Sequence, residues 1–593
     1  MSSYDSRLLN LVIFAPLAFA AVLALLPKNE KGQIRALTFV AMLVDLVLSV
    51  MAYQRYVQGP AEFRLEYWMN WVPEIGLGYH VGIDGLAASL VLLTGILGPL
   101  VVLASWTFID DKVKEFHLCL LVLQTAMMGA LCALDIMLFY VFFEAMLIPM
   151  YLLIGVWGSE DRQMAAMKFF LYTLVGSLLM LVALLGVYFI ATPAGQHSFD
   201  YATIYNGLIG ASREVAACHK SGGVGCALSP AAAALMRFGP WMFAAFALAF
   251  AIKVPMWPVH TWLPDAHTQA PVAGSMILAA VMLKMGTFGF WRFAVPLFPT
   301  AAQGFQLALA VLSVIGIVYG ALMCLAQRDI KRLIAYSSVS HLGYCMLGLV
   351  AMTPEAATGS AYQMLNHGVS TGALFLLFGY LYERRHVRLM SDYGGLAKVM
   401  PVFTAFFLII TFSSVAVPGT NGFIGEFLVL LGTFNSNLPL WVGVAAALGV
   451  VLGAAYMLLM VQKVFFGPVT RKENQHVPDL NLREIATALP FVILVLVMGL
   501  RPQPLLDVIE RSTKAYIARA TLTNDTPESK VRVEVRPPPP AAPAVLAPQR
   551  PQMGEVGAPG DAPPRRQVRA FPNFPPGGQP ILLQAAPPTP TTP

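Results

Sequence analysis

Long apolar runs separated by short polar stretches fill the first 500 residues of this 593-residue chain. A helix needs about twenty apolar residues to cross the hydrocarbon core of a bilayer. Applied along the chain, this length predicts fourteen transmembrane helices, near residues 8–26, 34–54, 84–105, 116–133, 136–157, 168–191, 238–267, 271–295, 305–325, 331–352, 358–382, 400–434, 440–465 and 485–500. The pattern therefore predicts an all-α integral membrane protein.

Two of these predicted spans are too long for a single straight helix and contain residues that interrupt helices. Span seven contains Pro255 and Pro258, and span twelve contains Pro418, Gly419 and Gly422. Proline removes a backbone donor and clashes with the preceding turn. Within a bilayer, the carbonyls that it frees need protein or water partners. Spans seven and twelve are therefore predicted to be broken helices inside the bundle, although a lone proline more often marks a simple packing kink.

Composition supports a membrane protein and excludes several other classes. Hydrophobic residues make up 57% of the chain and charged residues only 12%, whereas soluble domains contain about 25% charged residues. The net charge of +6 is not gathered into a basic block that could follow a nucleic-acid backbone. The six cysteines form no CxxC motif and no cluster with histidine, so no metal or iron–sulfur site is expected. Cys218 and Cys226 share one loop, and the sequence leaves open whether they form a disulfide.

Charged residues in the loops predict the orientation of the chain. Eighteen Lys and Arg residues fall on one side of the membrane: Lys28, Lys31, Arg35, Lys112, Lys114, Arg162, Lys168, Arg328, Lys331, Arg332, Arg384, Arg385, Arg388, Lys398, Lys463, Arg471, Lys472 and Arg483. Six fall on the other side: Arg55, Arg64, Arg213, Lys220, Arg237 and Arg292. Basic loops are retained in the cytoplasm. Both termini and the loop with Cys218 and Cys226 are therefore expected on the periplasmic side of a bacterial inner membrane, with a mitochondrial inner membrane as the less favoured location.

The chain changes character after Thr526. The tail contains 19 of the 43 prolines, including Pro537–Pro540, and has almost no apolar periodicity. Such a segment cannot bury enough surface to offset chain entropy. We therefore expect residues 526–593 to be a disordered Pro-rich tail.

Ionisable residues within the apolar runs are the candidate functional groups. Charges at mid-membrane cost several kcal/mol unless they are paired or hydrated, and they commonly mark ion or proton pathways. The candidates are Glu144, Lys253, Lys284 and Glu426, together with His341 and His367, whose side chains titrate near neutral pH. One buried Glu–Lys pair could simply hold two helices together. These acids and bases instead form a series over several spans, and two of the residues lie beside helix breaks. Such a series favours proton transfer over a structural role.

Several segments carrying these residues resemble a known family. They are FFEAMLIPMY, KVPMWPVHTWLPDAHTQAPV followed by LKMG, RDIKRLIAYSSVSHLGY, NHGVSTGALF and PGTNGFIGEF. Together they resemble the antiporter-like membrane subunits of respiratory complex I and their Mrp antiporter relatives. The acidic Glu426 is similar to the M type, the counterpart of mitochondrial NADH dehydrogenase subunit 4, since the L and N types usually have lysine there. The absence of an amphipathic lateral helix after span fourteen also argues against the L type.

This resemblance implies a domain organisation with two inverted five-helix repeats. An N-terminal three-helix segment covers residues 1–115, and the repeats cover residues 116–295 and 305–465. Residues 466–525 then contain the final transmembrane helix and its flank, before the tail. Each repeat includes one of the two predicted broken helices.

The resemblance also implies a role for each candidate. Glu144 and Lys253 would form the input pair, and Lys284 would lie on a central hydrophilic axis. His341 and His367 would conduct along that axis to Glu426, the terminal exchange site.

The activity implied is that of a translocase subunit of NADH:quinone oxidoreductase. This chain would have no redox centre, and NADH, FMN, iron–sulfur clusters and quinone would belong to partner subunits. Its partners would be the other complex I membrane subunits, including neighbouring antiporter-like subunits. The alternatives are an Mrp-type cation/proton antiporter subunit and a membrane scaffold with inert buried ion pairs.

Overall fold

The structure is a computed structural model that describes residues 5–192, 197–222 and 226–522. Its helices up to the first broken span are α1 Asp5–Leu25, α2 Lys31–Val57, α3 Gly85–Ala104, α4 Val113–Cys132, α5 Ile136–Ala145, α6 Leu147–Trp157, α7 Arg162–Ala191, α8 Tyr201–Lys220, α9 Pro230–Lys253 and α10 Trp262–Gln269. Two strands, β1 Arg64–Val72 and β2 Leu77–Ile83, form an antiparallel hairpin between α2 and α3.

The remaining helices continue the bundle to the end of the described chain. They are α11 Val272–Ile277, α12 Leu283–Gly289, α13 Val295–Leu297, α14 Pro299–Gly304, α15 Gln306–Ala326, α16 Ile330–Val350, α17 Pro354–Arg385, α18 Pro401–Ser414, α19 Asn421–Phe434, α20 Leu440–Phe465, α21 Leu482–Leu500 and α22 Gln503–Ala520. Two π-helical segments, Leu278–Met282 and Phe290–Ala294, join α11, α12 and α13 into one span. Short 3₁₀ helices occupy Pro73–Ile75, Met390–Asp392, Leu396–Lys398 and Lys472–Asn474.

The membrane-spanning architecture agrees with the sequence prediction. Among the described residues, thirteen helices are long and apolar enough to cross a membrane. The shorter apolar helices α18 and α19 occupy the predicted span twelve. The fold class is therefore confirmed as an all-α, multi-pass membrane protein, while the inverted relationship of the two repeats stays a prediction.

Both predicted helix breaks are present. Helix α9 ends at Lys253 and α10 begins at Trp262, while α18 ends at Ser414 and α19 begins at Asn421. The carbonyl of Ile252, freed at the first break, accepts a hydrogen bond from the Trp262 indole at 2.9 Å. Protein groups thus replace the missing helical bonds, as backbone in a membrane requires.

Helices α16 and α17 form the centre of the bundle. The transmembrane windows of both helices are entirely buried by other helices, unlike the peripheral α2 and α20. Helix α17 packs against α16, α18, α19 and α21. Because no lipid reaches α16 and α17, their many polar side chains must find partners inside the protein.

Three elements outside the spans were not expected from the sequence. These are the β1–β2 hairpin, helix α8 and helix α22. Helix α22 packs its buried face against α3 and α17. Helix α22 is an amphipathic helix of 18 residues, and its apolar face was not recognised in the sequence because polar residues separate the apolar positions.

Arg292 also departs from its prediction as a loop charge. Its side chain is 1% exposed within the span formed by α11–α13 and contacts the carboxylate of Asp84 at 2.6 Å. A second buried ion pair joins Arg519 of α22 to Glu62 at 2.6 Å. Five basic loop residues then remain on the predicted periplasmic side, so the excess of basic residues on the other side is preserved.

A histidine clamp, formed by His80 and Asp200, attaches the hairpin to the segment before α8. The Nδ1 atom of His80 lies 2.6 Å from the Asp200 carboxylate, and its Nε2 atom lies 3.8 Å from Glu66. Burial opposes the charged imidazole, but these two carboxylates outweigh it and raise the pKa of His80 to about 9. His80 is therefore a cation at neutral pH. At the opposite end of α8, Cys218 and Cys226 form a disulfide, with Cα atoms 5.8 Å apart.

The predicted Pro-rich tail, residues 526–593, lies outside the described residues.

Candidate functional site

The ammonium group of Lys284 lies in the middle of the bundle. Lys284 belongs to α12, directly after a π-helical turn, and its side chain is fully buried. Its Nζ atom donates to the Ala279 carbonyl within that turn and lies 2.5 Å from Nδ1 of His367 on α17. A π turn shifts the regular helical hydrogen bonds by one residue. This local irregularity brings a carbonyl to a charge that would otherwise be costly to bury.

From His367 the polar contacts continue towards the second broken helix. The rings of His367 and His341 lie 5.9 Å apart between centroids. Nδ1 of His341 is 2.8 Å from the Glu426 carboxylate, and its Nε2 atom is 3.3 Å from the Ser414 hydroxyl. These groups line a small cavity of about 10 Å³, which is room for about one water molecule. The structure thus brings four of the six candidates together, in what we call the central chain: Lys284, His367, His341 and Glu426.

The other two candidates lie near each other without direct contact. Lys253 is 1% exposed, and its Nζ atom lies 4.7 Å from the ring centroid of Phe143, the residue before Glu144. Neither Lys253 Nζ nor Glu144 Oε1 has a hydrogen-bond partner among the described residues. The predicted input pair is therefore open in this structure, with the lysine held against an aromatic face.

Glycine at position 286 brings the two lysine-bearing segments together. A Cβ atom on Gly286 would come within 2.6 Å of the Val254 side chain and 2.7 Å of the Phe250 carbonyl. Real side-chain atoms do not approach so closely, so α12 and the end of α9 can pack this tightly only at glycine. Lys253 precedes Val254, and Lys284 lies two residues before Gly286. The packing therefore holds the backbones of these two lysine-bearing segments against each other, while the Lys284 side chain extends to His367 of α17.

Several polar residues around the central chain were not singled out from the sequence. Gln363 donates to Glu426 at 2.9 Å, and Asn366 donates to Gln363 at 3.1 Å. Asn421 accepts from the Ser413 hydroxyl at 2.5 Å. On α17 a signal was available, because Gln363, Asn366 or His367, and Ser370 recur at helical spacing and mark one polar face.

The break in span seven also places His267 in the buried interior. Its ring stacks on Phe375 with centroids 4.5 Å apart, and neither of its nitrogens has a partner among the described residues. Nearby, the Lys331 ammonium donates to the Ala270 carbonyl at 2.6 Å, although the sequence suggested a loop charge. No group of three metal-ligating side chains occurs within the described ranges.

Comparison with known proteins identifies the family. Residues 133–453 match the family described as NADH:quinone oxidoreductase/Mrp antiporter, TM. NADH-quinone oxidoreductase subunit M of Rhodobacter capsulatus is 42% identical over 514 residues, covering 85% of this chain and 95% of the relative. NADH-ubiquinone oxidoreductase chain 4 of Marchantia polymorpha is 36% identical over 518 residues, covering 87% and 98%.

A solved structure supports the same assignment. One chain of respiratory complex I from Thermus thermophilus with bound NADH superposes with a TM-score of 0.75 at 32% identity. The match covers 86% of this chain and 99% of that one. Sequence, fold and the buried acid–base side chains agree with the resemblance found in the motifs. The chain therefore belongs to the family of antiporter-like membrane subunits of NADH:quinone oxidoreductase and Mrp antiporters, in which it groups with subunit M and its mitochondrial equivalent, chain 4.

Proposed function

We propose that this chain is the M-type subunit of respiratory complex I and translocates protons across the membrane. Other subunits would oxidise NADH and reduce quinone, and their energy would drive the movement of protons here. The observation that carries the proposal is the central chain, in which a buried lysine, two histidines and a glutamate follow one another across α12, α17, α16 and α19. A scaffold requires isolated ion pairs, whereas proton transfer requires this sequence of groups within reach of one another or of one water.

In the proposed mechanism, the Glu144–Lys253 pair controls the proton held by Lys253. If conformational change brings the carboxylate within about 4 Å of the ammonium, their attraction is about 4 kcal/mol at an effective dielectric of 20. Moving one proton against a membrane potential of about 180 mV requires roughly 4 kcal/mol. Closing and opening one such pair is therefore comparable in energy with one transport step. Opening would favour transfer from Lys253 towards Lys284.

The central chain would then carry the proton towards the exchange site. His367 accepts it from Lys284, and His341 passes it to Glu426. The 5.9 Å between the two imidazole centroids leaves room for one bridging water at this step. Both histidines can donate and accept through different ring nitrogens, as a proton relay requires.

The proposed domain organisation follows the two broken helices. Residues 116–295 would form the first repeat around Glu144, Lys253 and Lys284, and residues 305–465 the second around the histidines and Glu426. Residues 1–115 and 466–525 would flank them, followed by the tail, residues 526–593. Inverted repeats with broken helices near the membrane centre are a recurring transporter design.

Other complex I subunits, including neighbouring antiporter-like subunits, are the proposed partners. NADH, FMN, iron–sulfur clusters and quinone would be bound by those partners. Mrp-type antiporter subunits belong to the same family. The relative that is 42% identical to this chain is named as NADH-quinone oxidoreductase subunit M, and this favours complex I. Proton movement that depends on sodium, in vesicles without NADH, would instead support an antiporter.

The proposed location is the bacterial inner membrane, with both termini on the periplasmic side. The asymmetry of basic loops supports this orientation. The Cys218–Cys226 disulfide supports it independently, because disulfides persist in oxidising compartments such as the periplasm. After mild reduction, a membrane-impermeant thiol reagent should label these cysteines in intact spheroplasts. Labelling only from the cytoplasmic side would contradict the orientation.

Lys284→Met tests the proposed function. The variant keeps the length of the side chain and removes its exchangeable proton. Inverted membrane vesicles with the assembled complex should lose most of their NADH-driven proton uptake. Lys463→Met, at the exposed end of α20, is the matched control. Normal coupled uptake in an assembled Lys284→Met complex would favour the scaffold.

A further inference from the structure

One oxygen of Glu426 accepts two hydrogen bonds of different chemical kind. His341 Nδ1 lies 2.8 Å from Oε1, and Nε2 of Gln363 donates to the same oxygen at 2.9 Å. The imidazole can exchange a proton with the carboxylate. The amide donates a hydrogen bond but cannot titrate, so it affects the carboxylate without joining the relay.

The orientation of the Gln363 amide is set by its neighbour Asn366. Nδ2 of Asn366 donates to Oε1 of Gln363 at 3.1 Å, so the amide oxygen is occupied and its NH₂ group faces Glu426. The reversed amide would place its oxygen against a carboxylate and its NH₂ group against another donor. All three residues are less than 5% exposed. Water therefore does not easily replace these hydrogen bonds.

The backbone opposite the amides is shaped for them. A Cβ on Gly425, the residue before Glu426, would lie 2.7 Å from Nδ2 of Asn366 and closer still to Oε1 of Gln363. Any other residue there would push the amides away from the carboxylate. The approach of α17 to α19 is thus close enough for Gln363 to reach Glu426 directly.

We propose that Gln363 is a positioning residue, which holds the Glu426 carboxylate towards His341 and stabilises its charged form so that Glu426 releases its proton. This inference rests on the proposed function of the central chain. Hydrogen bonds to a charged group stabilise the charged form over the neutral acid. Without the amide, Glu426 would retain its proton more strongly and would be free to rotate away from His341.

Other titratable groups face the same carboxyl and must be considered in any pH dependence. His341 contacts it from α16, and His367 lies beside His341 on α17. Tyr344 and Cys345 on α16 and Tyr456 on α20 lie within electrostatic range of it. The Tyr344 hydroxyl already donates to the Ala446 carbonyl at 2.7 Å. These groups are the same in every Gln363 variant, so a difference between pH profiles reports the side chain at position 363.

Two variants of similar size separate positioning from packing. Gln363→Leu removes the donor, and NADH-driven proton uptake should fall about tenfold at pH 7 and recover as the pH rises. Gln363→Glu restores a donor only while its own carboxyl is protonated, so uptake should be near normal at low pH and fall as the pH rises. A packing role would move both profiles in the same direction. Equal shifts, or unchanged profiles, would overturn the inference.

Controls distinguish this inference from the proposed function itself. Gln124→Leu removes another buried amide that donates to a carboxylate, that of Asp45 at 2.7 Å, and should leave the pH profile unchanged. Glu426→Gln should abolish uptake. Normal uptake in Glu426→Gln would contradict the proposed function, whereas loss there with unaffected Gln363 variants would contradict only the role of Gln363. If Gln363→Leu does not assemble, a flat profile in assembled Gln363→Glu is sufficient to refute the role.

Discussion

Replacing His367 by phenylalanine should interrupt the central chain at its middle. Phenylalanine keeps a planar ring of similar size but cannot accept the proton from Lys284. The direct contact of 2.5 Å between Lys284 Nζ and His367 Nδ1 is then lost. His341 is the next proton acceptor, and its ring centroid lies 5.9 Å from that of His367. Direct transfer would therefore have no acceptor within hydrogen-bond reach.

The size of the effect follows from the hydrogen bond that is removed. A hydrogen bond to a charged group contributes about 1.5–3 kcal/mol. If this contact stabilises the transfer step, its loss slows proton translocation about 10- to 150-fold, since each 1.36 kcal/mol changes a rate tenfold. Lys284 would keep its bond to the Ala279 carbonyl. The helix bundle should therefore still fold and assemble.

NADH-driven proton uptake in inverted vesicles is the appropriate assay, normalised to NADH oxidation by an artificial acceptor that does not require the membrane subunits. His117→Phe is the matched control, because His117 is also fully buried and neither of its ring nitrogens has a partner among the described residues. The control should pump normally. An assembled His367→Phe complex that pumps at more than half the normal rate would refute transfer through this histidine.

Three further predictions test other parts of the molecule. Glu144→Ala should leave the complex assembled but abolish coupled NADH oxidation and proton uptake, and normal coupled turnover would exclude Glu144 from the input pair. His80→Gln should lower the free energy of unfolding of the subunit by about 3 kcal/mol at pH 6. The pKa of His80 is about 9 in the folded state and 6.5 in the unfolded state, so the protonated imidazole gives its full stabilisation below pH 6.5. That difference from the parent should disappear as the pH rises past 9, and a pH-independent difference would show that His80 acts through packing. Glu484→Leu should lower the free energy of unfolding by about 3–5 kcal/mol, because it leaves the Arg384 guanidinium, 2.5 Å from the carboxylate, without its buried partner. An unchanged melting temperature would show that water can replace the carboxylate.

Elements set by local pattern were predictable from the sequence. The spans and the two breaks were correct because span length and proline chemistry depend on nearby residues alone. The hairpin and α22 were not predicted, because their apolar faces can be recognised only when the helices that they pack against are known. The sequence predicts a loop position for Arg292 because its charge outweighs its apolar neighbours, and the carboxylate of Asp84 that permits its burial lies 208 positions earlier in the chain.

The candidate site divides in the same way. Rare intramembrane charges can be recognised in a sequence because burying them is costly, and this alone identified Lys253, Lys284 and Glu426. Their connection was decided by the tertiary structure, since His367 meets Lys284 across 83 residues and Gln363 meets Glu426 across 63. Neutral amides carry no comparable burial cost, so their importance becomes visible only when packing shows which charge they face. The types of residue thus determined that buried acid–base chemistry is present, and the approach of α12, α16, α17 and α19 decided which groups share a path.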